Sequence, residues 1–165
     1  MPPKFAPIPG AQGFQQSNPS ALSTVALLGA LEVFRDAGGV DRLRPKSIRL
    51  TGYLETLLRA SRYFLSVDDS TTHGIASSGD PRFTIITPAT LEARGAQLSL
   101  LFLPSEDNIA LRIFDSLKKH GVIGDERQPD VIRLSPAPLY NTFADCQRAA
   151  EALNRAFEEL KVDRN

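Results

Sequence analysis

Tryptophan is absent from this chain, which has one cysteine, one methionine and two histidines. The lone cysteine, Cys146, excludes an internal disulfide framework and fits a reducing compartment, so a cytoplasmic protein is expected. His73, His120 and Cys146 are too widely spaced for a metal-site pattern, and no metal is expected. Neither sign of charge is in excess: 19 Lys and Arg stand against 19 Asp and Glu. The basic residues are scattered, which argues against nucleic acid as a partner. No apolar run reaches the roughly 18 residues of a membrane span. Residues 1–16 are rich in Pro, Gly and Gln and lack the basic-then-apolar order of a secretion signal. The chain has 165 residues, enough for one ordinary domain with a core of its own.

Pro2, Pro3, Pro7 and Pro9 forbid regular structure over 1–17. Asn18 followed by Pro19 reads as a helix cap and a first helical residue. That helix is expected to run to about Asp36 and to stop at Gly38-Gly39. Leu22, Val25, Leu27, Leu28, Leu31, Val33 and Phe34 surround its axis, the pattern of a helix buried on all sides. It is expected to lie between this domain and something larger, in a chain that is incomplete or tightly oligomeric. A second helix is expected over about 46–64, with Pro45 in its first turn and a stripe of Leu50, Tyr53, Leu54, Leu57 and Leu58.

Ser66 to Asp80 reads as a polar, mobile loop. Strands are expected at 83–86 and 97–103, the second with Leu98, Leu100 and Phe102 on one face and Ser99 on the other. A helix over 106–120 has Ser105 as its cap and Gly121 as its stop. Val122-Ile123 and Val131 to Leu134 read as two strands around a polar turn, Asp125 to Asp130. A last helix runs from Thr142 to about Leu160, opened by a near capping box of Thr142 and Asp145. The order predicts an α+β fold, with helices packed on a small, mainly antiparallel sheet.

Arg133 carries the chemical question. Its charge cannot be removed by a pKa shift, and its planar guanidinium grips carboxylates with paired hydrogen bonds. Within the protein, Asp125 or Glu126 across the turn is the favoured partner. The alternative is a carboxylate on a substrate. Asn18 is open in the same way: a plain cap, or part of an anion site at a helix N-terminus. Ser135, Tyr140 and Asn141 are placed to satisfy the backbone of the Pro136–Pro138 turn. Cys146 reads as a buried structural thiol. His73 and His120 have no partner at catalytic spacing.

Five stretches stand in a telling order. They are Gly13-Phe14-Gln15-Gln16-Ser17-Asn18-Pro19, Leu50-Thr51-Gly52-Tyr53-Leu54-Glu55, Glu92-Ala93-Arg94-Gly95-Ala96-Gln97-Leu98-Ser99, Asp125 through Arg133, and Ser135-Pro136-Ala137-Pro138-Leu139-Tyr140-Asn141-Thr142-Phe143. Together they resemble the kynureninases, and most of all a fungal member. The resemblance runs from Gly13 into the last helix.

It implies the C-terminal fragment of a homodimeric, pyridoxal-phosphate enzyme of the aspartate-aminotransferase-like fold (fold type I). Such an enzyme hydrolyses kynurenine to anthranilate and alanine, and 3-hydroxykynurenine to the hydroxylated analogue, in tryptophan catabolism and NAD biosynthesis. On this reading 1–45 hold the end of the large cofactor domain and a connecting helix, and 46–165 the small domain. The resemblance places Asn18 at the cofactor and Arg133 on the substrate carboxylate. Ser17 is a weaker substrate-side candidate, adjacent by sequence only.

The family's Schiff-base lysine follows a Tyr on a strand of the large domain. None of Lys4, Lys46, Lys118, Lys119 and Lys161 has that context, so no catalytic residue is expected in this chain and it is expected to be inactive alone. The family's cofactor-site Trp is missing too. The alternative is a non-enzymatic remnant or an interaction module.

Overall fold

The computed structural model describes residues 4, 6–66, 80–105 and 108–162. The expected polar loop, including His73, lies outside these residues apart from its two ends, as do Glu106 and Asp107. The chain divides into two compact units, Met1–Val40 and Asp41–Asn165.

In the first unit a 3-10 turn, Ala11–Phe14, precedes helix α1, Ala21–Asp36. The turn needs its glycine, because a Cβ on Gly13 would fall 2.1 Å from the Ile8 carbonyl oxygen. The expected helix start is corrected by two residues. Ser20 is the N-cap, its hydroxyl accepting from the Ser23 N–H at 3.4 Å. Pro19 precedes the cap. A residue before proline is driven out of the helical region, which holds Asn18 outside the helix. The stop falls as expected, with Gly38 in the left-handed region at φ 93°. No residue of α1 is buried, and Leu22 is 84% exposed. The expected all-round burial is therefore not supplied by this chain.

Most of α2, Gly39–Arg59, belongs to the second unit; it starts well before the expected Lys46 and ends before Phe64. Pro45 lies inside it rather than in the first turn of a later helix. Proline forfeits one main-chain hydrogen bond there. The buried stripe Leu50, Leu54 and Leu58 holds the helix to the core.

Four strands follow: β1 Arg82–Ile85, β2 Leu98–Leu103, β3 Asp125–Arg127 and β4 Val131–Leu134. They form an antiparallel sheet in the order β1-β2-β4-β3. Between β2 and β3 runs α3, Ile109–Lys119, and the chain ends in α4, Phe143–Val162. The α+β architecture expected from the sequence is the one found.

Two local expectations fail. The N-cap of α3 is Asn108, in the left-handed region, and not Ser105. Val122 and Ile123 are not a strand; Ile123 is 91% exposed, and the strand is the polar Asp125–Arg127. An edge strand pairs on one side only, so its charged residues stay in water, and charge there blocks further strand addition.

Alternation sets the two faces of the sheet. Leu98, Leu100 and Phe102 of β2 point with Ile132 and Leu134 of β4 into the core. There Phe157 of α4 stacks on Tyr63 at 4.4 Å and on Phe83 at 5.8 Å between ring centres. Each such pair adds about 1 kcal/mol beyond area burial. Ser99, Leu101, Val131 and Arg133 therefore take the opposite face, all half-buried.

Candidate functional site

Arg133 sits in β4 between Ser99 of β2 and Asp125 of β3, its direct cross-strand partners. Directly opposed residues have Cβ atoms about 5 Å apart, which suits a carboxylate meeting a guanidinium. The Arg133 Nε donates to Asp125 Oδ2 at 2.8 Å, and Nη2 donates to the same oxygen. Arg127 donates to that oxygen too, from Nε at 3.2 Å and Nη2 at 3.0 Å. The hydrogen bond from Arg133, with those from Arg127, holds the Asp125 carboxyl below the usual carboxylate range against partial desolvation. The partner across the turn is thus Asp125, one of the two the sequence favoured. The Arg133 side chain keeps 28% of its surface exposed, and its Nη1 makes no hydrogen bond among the described residues.

In the turn after β4, Asn141 satisfies the backbone as its residue type predicts. Asn141 Oδ1 accepts from the Ala137 N–H at 2.8 Å, and the Asn141 N–H donates to the Ala137 carbonyl at 2.9 Å. From α2, Lys46 Nζ donates to the Pro138 carbonyl at 2.7 Å. Ser135 and Asn141 line a cleft of about 190 Å³ with His120, Val122 and Cys146, but Arg133 does not. Cys146 is buried, as expected, and burial, with Asp145 nearby, raises its thiol pKa. His120 meets Glu159 at 2.8 Å, a helix-end contact.

Ser17 and Asn18 lie in the first unit, exposed, ahead of α1. Ser17 has φ 61°, and its carbonyl accepts from Gln15 Nε2 at 2.7 Å. Neither caps the helix, so the plain-cap reading of Asn18 is withdrawn. Its exposed amide is chemically suited to a phosphate or phenolic oxygen.

A Schiff-base lysine must be kept dry enough to lose its proton. No lysine among the described residues is buried. Lys46 is spent on Pro138, Lys118 pairs with Asp115 at 2.7 Å, and the Lys161 ammonium lies over the Tyr63 ring. By that chemistry the described lysines do not fit the Schiff-base position of a pyridoxal-phosphate site, while the open donors of Arg133 fit an anionic group. Among the described residues there is no group of side chains that could hold a metal, and no helix is long and apolar enough to cross a membrane.

One cluster has no counterpart in the sequence reading. Arg94, its side chain 3% exposed, meets Glu55 of α2 at 2.5 Å, and Arg59 meets the same carboxylate at 2.8 Å. Burial pushes the Glu55 carboxyl up, but the hydrogen bonds and charges of Arg94 and Arg59 outweigh it, and the net pKa is lowered. Arg44 donates to the Leu91 and Arg94 carbonyls at 2.6 and 3.0 Å. Together these tie the connection between β1 and β2 to α2. Arg94 and Glu55 are far apart in sequence, and no local spacing announces such a pair.

The fold and the arginine define a class: an α+β domain whose small antiparallel sheet carries an arginine–aspartate pair on the face away from the core. Comparison with known proteins says which. Residues 43–153 match the family model of the kynureninase C-terminal domain. The chain is 50% identical over 151 residues to the kynureninase of Yarrowia lipolytica, with 92% of this chain covered. It is 48% identical over 160 residues to that of Saccharomyces cerevisiae, with 94% covered, and 44% identical over 161 residues to kynureninase 2 of Neurospora crassa, with 98% covered. The chain belongs to the kynureninase family, of which it carries the C-terminal domain. It spans 34% of the length of the first two relatives and 30% of the third.

Proposed function

We propose that this chain is the substrate-gripping portion of a cytoplasmic, homodimeric kynureninase. That enzyme adds water to kynurenine, or to its 3-hydroxy analogue, and breaks the Cβ–Cγ bond to give anthranilate, or its hydroxylated form, and alanine. The observation that carries this is Arg133: a half-buried guanidinium on the sheet face away from the core, with a free end, in a chain of this family. Pyridoxal phosphate, when bound, supplies the electron sink for carbon–carbon cleavage. Arg133 holds the α-carboxylate of the substrate and fixes the orientation of its α-carbon, which contributes binding and positioning rather than proton transfer. Asn18 contributes a hydrogen bond to the cofactor, in a site shared between subunits, and Ser17 stands beside it on the substrate side. The lysine that moves the protons comes from the part of the relatives that this chain does not span. Residues 1–45 belong to the large domain and 46–165 to the small one. The division at Val40 and the family match from residue 43 support a boundary in that stretch.

In a complete enzyme carrying this segment, Arg133→Ala is expected to lower kcat/KM for kynurenine about a hundredfold, the worth of two charge-assisted hydrogen bonds. The visible absorption of bound pyridoxal phosphate should be unchanged. Unchanged catalytic efficiency would sink the proposal. The 165-residue chain alone, mixed with pyridoxal phosphate, should show neither a stable Schiff-base band nor kynurenine hydrolysis.

A further inference from the structure

We infer that Asp125 is the positioning residue of the carboxylate clamp: it holds one edge of the Arg133 guanidinium and leaves the other for the substrate. The inference rests on the proposed role of Arg133. A guanidinium has two edges that can present a pair of parallel N–H groups, the side edge Nε/Nη2 and the end edge Nη1/Nη2. Asp125 Oδ2 takes the side edge, accepting from both Nε and Nη2. The end edge keeps Nη1 and the second hydrogen of Nη2, the fork that a substrate carboxylate needs. The contact is built into the sheet, because Asp125 and Arg133 are direct cross-strand partners. The guanidinium is therefore aimed by a strand pairing and not by a mobile loop.

A carboxylate beside a substrate-binding arginine also has a cost, since it opposes the anion the arginine is meant to hold. Here Arg127 offsets it. Arg127 donates to the same Asp125 oxygen, so the trio of Arg133, Asp125 and Arg127 keeps one net positive charge. Orientation is gained without losing the attraction. The lowered pKa of Asp125 keeps it ionised through the neutral range.

The alternative role is a placeholder: Asp125 would occupy the arginine until the substrate displaced it. The two roles predict opposite signs. In the complete holoenzyme, Asp125→Ala should raise KM for kynurenine about tenfold, with kcat changed less than about twofold, since a uniform loss of binding appears in KM. Asp125→Asn, which keeps an acceptor oxygen opposite Arg133, should restore most of the loss. Inhibition by the α-carboxamide analogue of kynurenine should be unaffected by either substitution, because that analogue offers no anion to the clamp. A KM that falls or stays unchanged overturns the inference, and so does equal weakening of the carboxamide analogue, which signals general loosening. Arg133→Ala run in parallel separates the two levels. If it spares kynurenine turnover, the carboxylate role of Arg133 fails and this inference with it. If it cripples turnover while Asp125→Ala leaves KM unmoved, only the positioning role fails.

Discussion

Arg94 and Arg133 are both half of an ion pair, and their surroundings give them opposite meanings. Arg133 is partly open and has donors to spare. Arg94 is 3% exposed and closed on Glu55, with a further contact from Nη1 to the Pro88 carbonyl at 3.3 Å. Removing Arg94 leaves the largely buried Glu55 carboxylate to the more exposed Arg59, and a buried charge that loses its buried partner is costly. Arg94→Met is therefore expected to destabilise the folded chain by about 3 kcal/mol, and Arg94→Met with Glu55→Gln by less, as read by urea denaturation.

The pH dependence of that effect has a fixed sign. The folded Glu55 pKa lies below its ordinary 4.5, so its contribution is fully present above that value and fades as pH falls through the lowered folded pKa. The Arg94→Met penalty should be constant from pH 7 to about 5 and shrink in more acidic buffer. A penalty that grows on acidification would contradict the pairing. The sequence shows Arg133 with candidate partners a few residues away, which is why its partner was legible. Arg94 finds its carboxylate on another element, and only the fold brings the two together.

At the scale of elements, local chemistry was readable wherever one signal decided the outcome. The last helix is the clearest case. Thr142 Oγ1 accepts from the Asp145 N–H at 3.3 Å, while Asp145 Oδ2 accepts from the Thr142 N–H at 2.7 Å. This is the reciprocal pattern of a capping box. Thr142→Ala should cost about 1 kcal/mol and lower the melting temperature by about 3 °C. Thr142→Ser should cost much less, and equal losses for the two variants would show that the methyl group, not the cap, matters.

The alternation of β2 was legible for the same reason. The failures occur where two signals compete. Ser20 wins the first helix cap over Asn18 because Pro19 separates them. Pro45 reads as a helix start, yet α2 absorbs it because its buried leucine stripe outweighs one lost hydrogen bond. The polar β3 reads as a turn, because strand patterns are learned from half-buried strands and not from charged edges. That misreading touches the site itself, since β3 delivers Asp125.

For the whole molecule, the buried core begins at Leu50 and ends at Leu160. Among the described residues, every large side chain in it comes from the second unit. Helix α1 adds none, and its exposed Leu22, Val25, Leu27, Leu28, Leu31 and Val33 make the surface that sequence periodicity assigned to an interior. Apolar surface of this extent rarely stays in water without a partner. In the isolated chain it should drive self-association, whereas the sheet and its helices hold their own core. Removal of residues 1–38 leaves α2 whole and takes α1 away. The remaining chain should unfold cooperatively, with a denaturation midpoint close to that of the full chain at dilute concentration. In sedimentation velocity it should run as a monomer, where the full chain shows a concentration-dependent shift to larger species. If the truncated chain is unfolded, the first unit contributes to the core in a way that its exposure denies. If both chains associate equally, the sticky surface lies elsewhere, and Ile86 and Ile123, exposed on the second unit, are the next residues to replace.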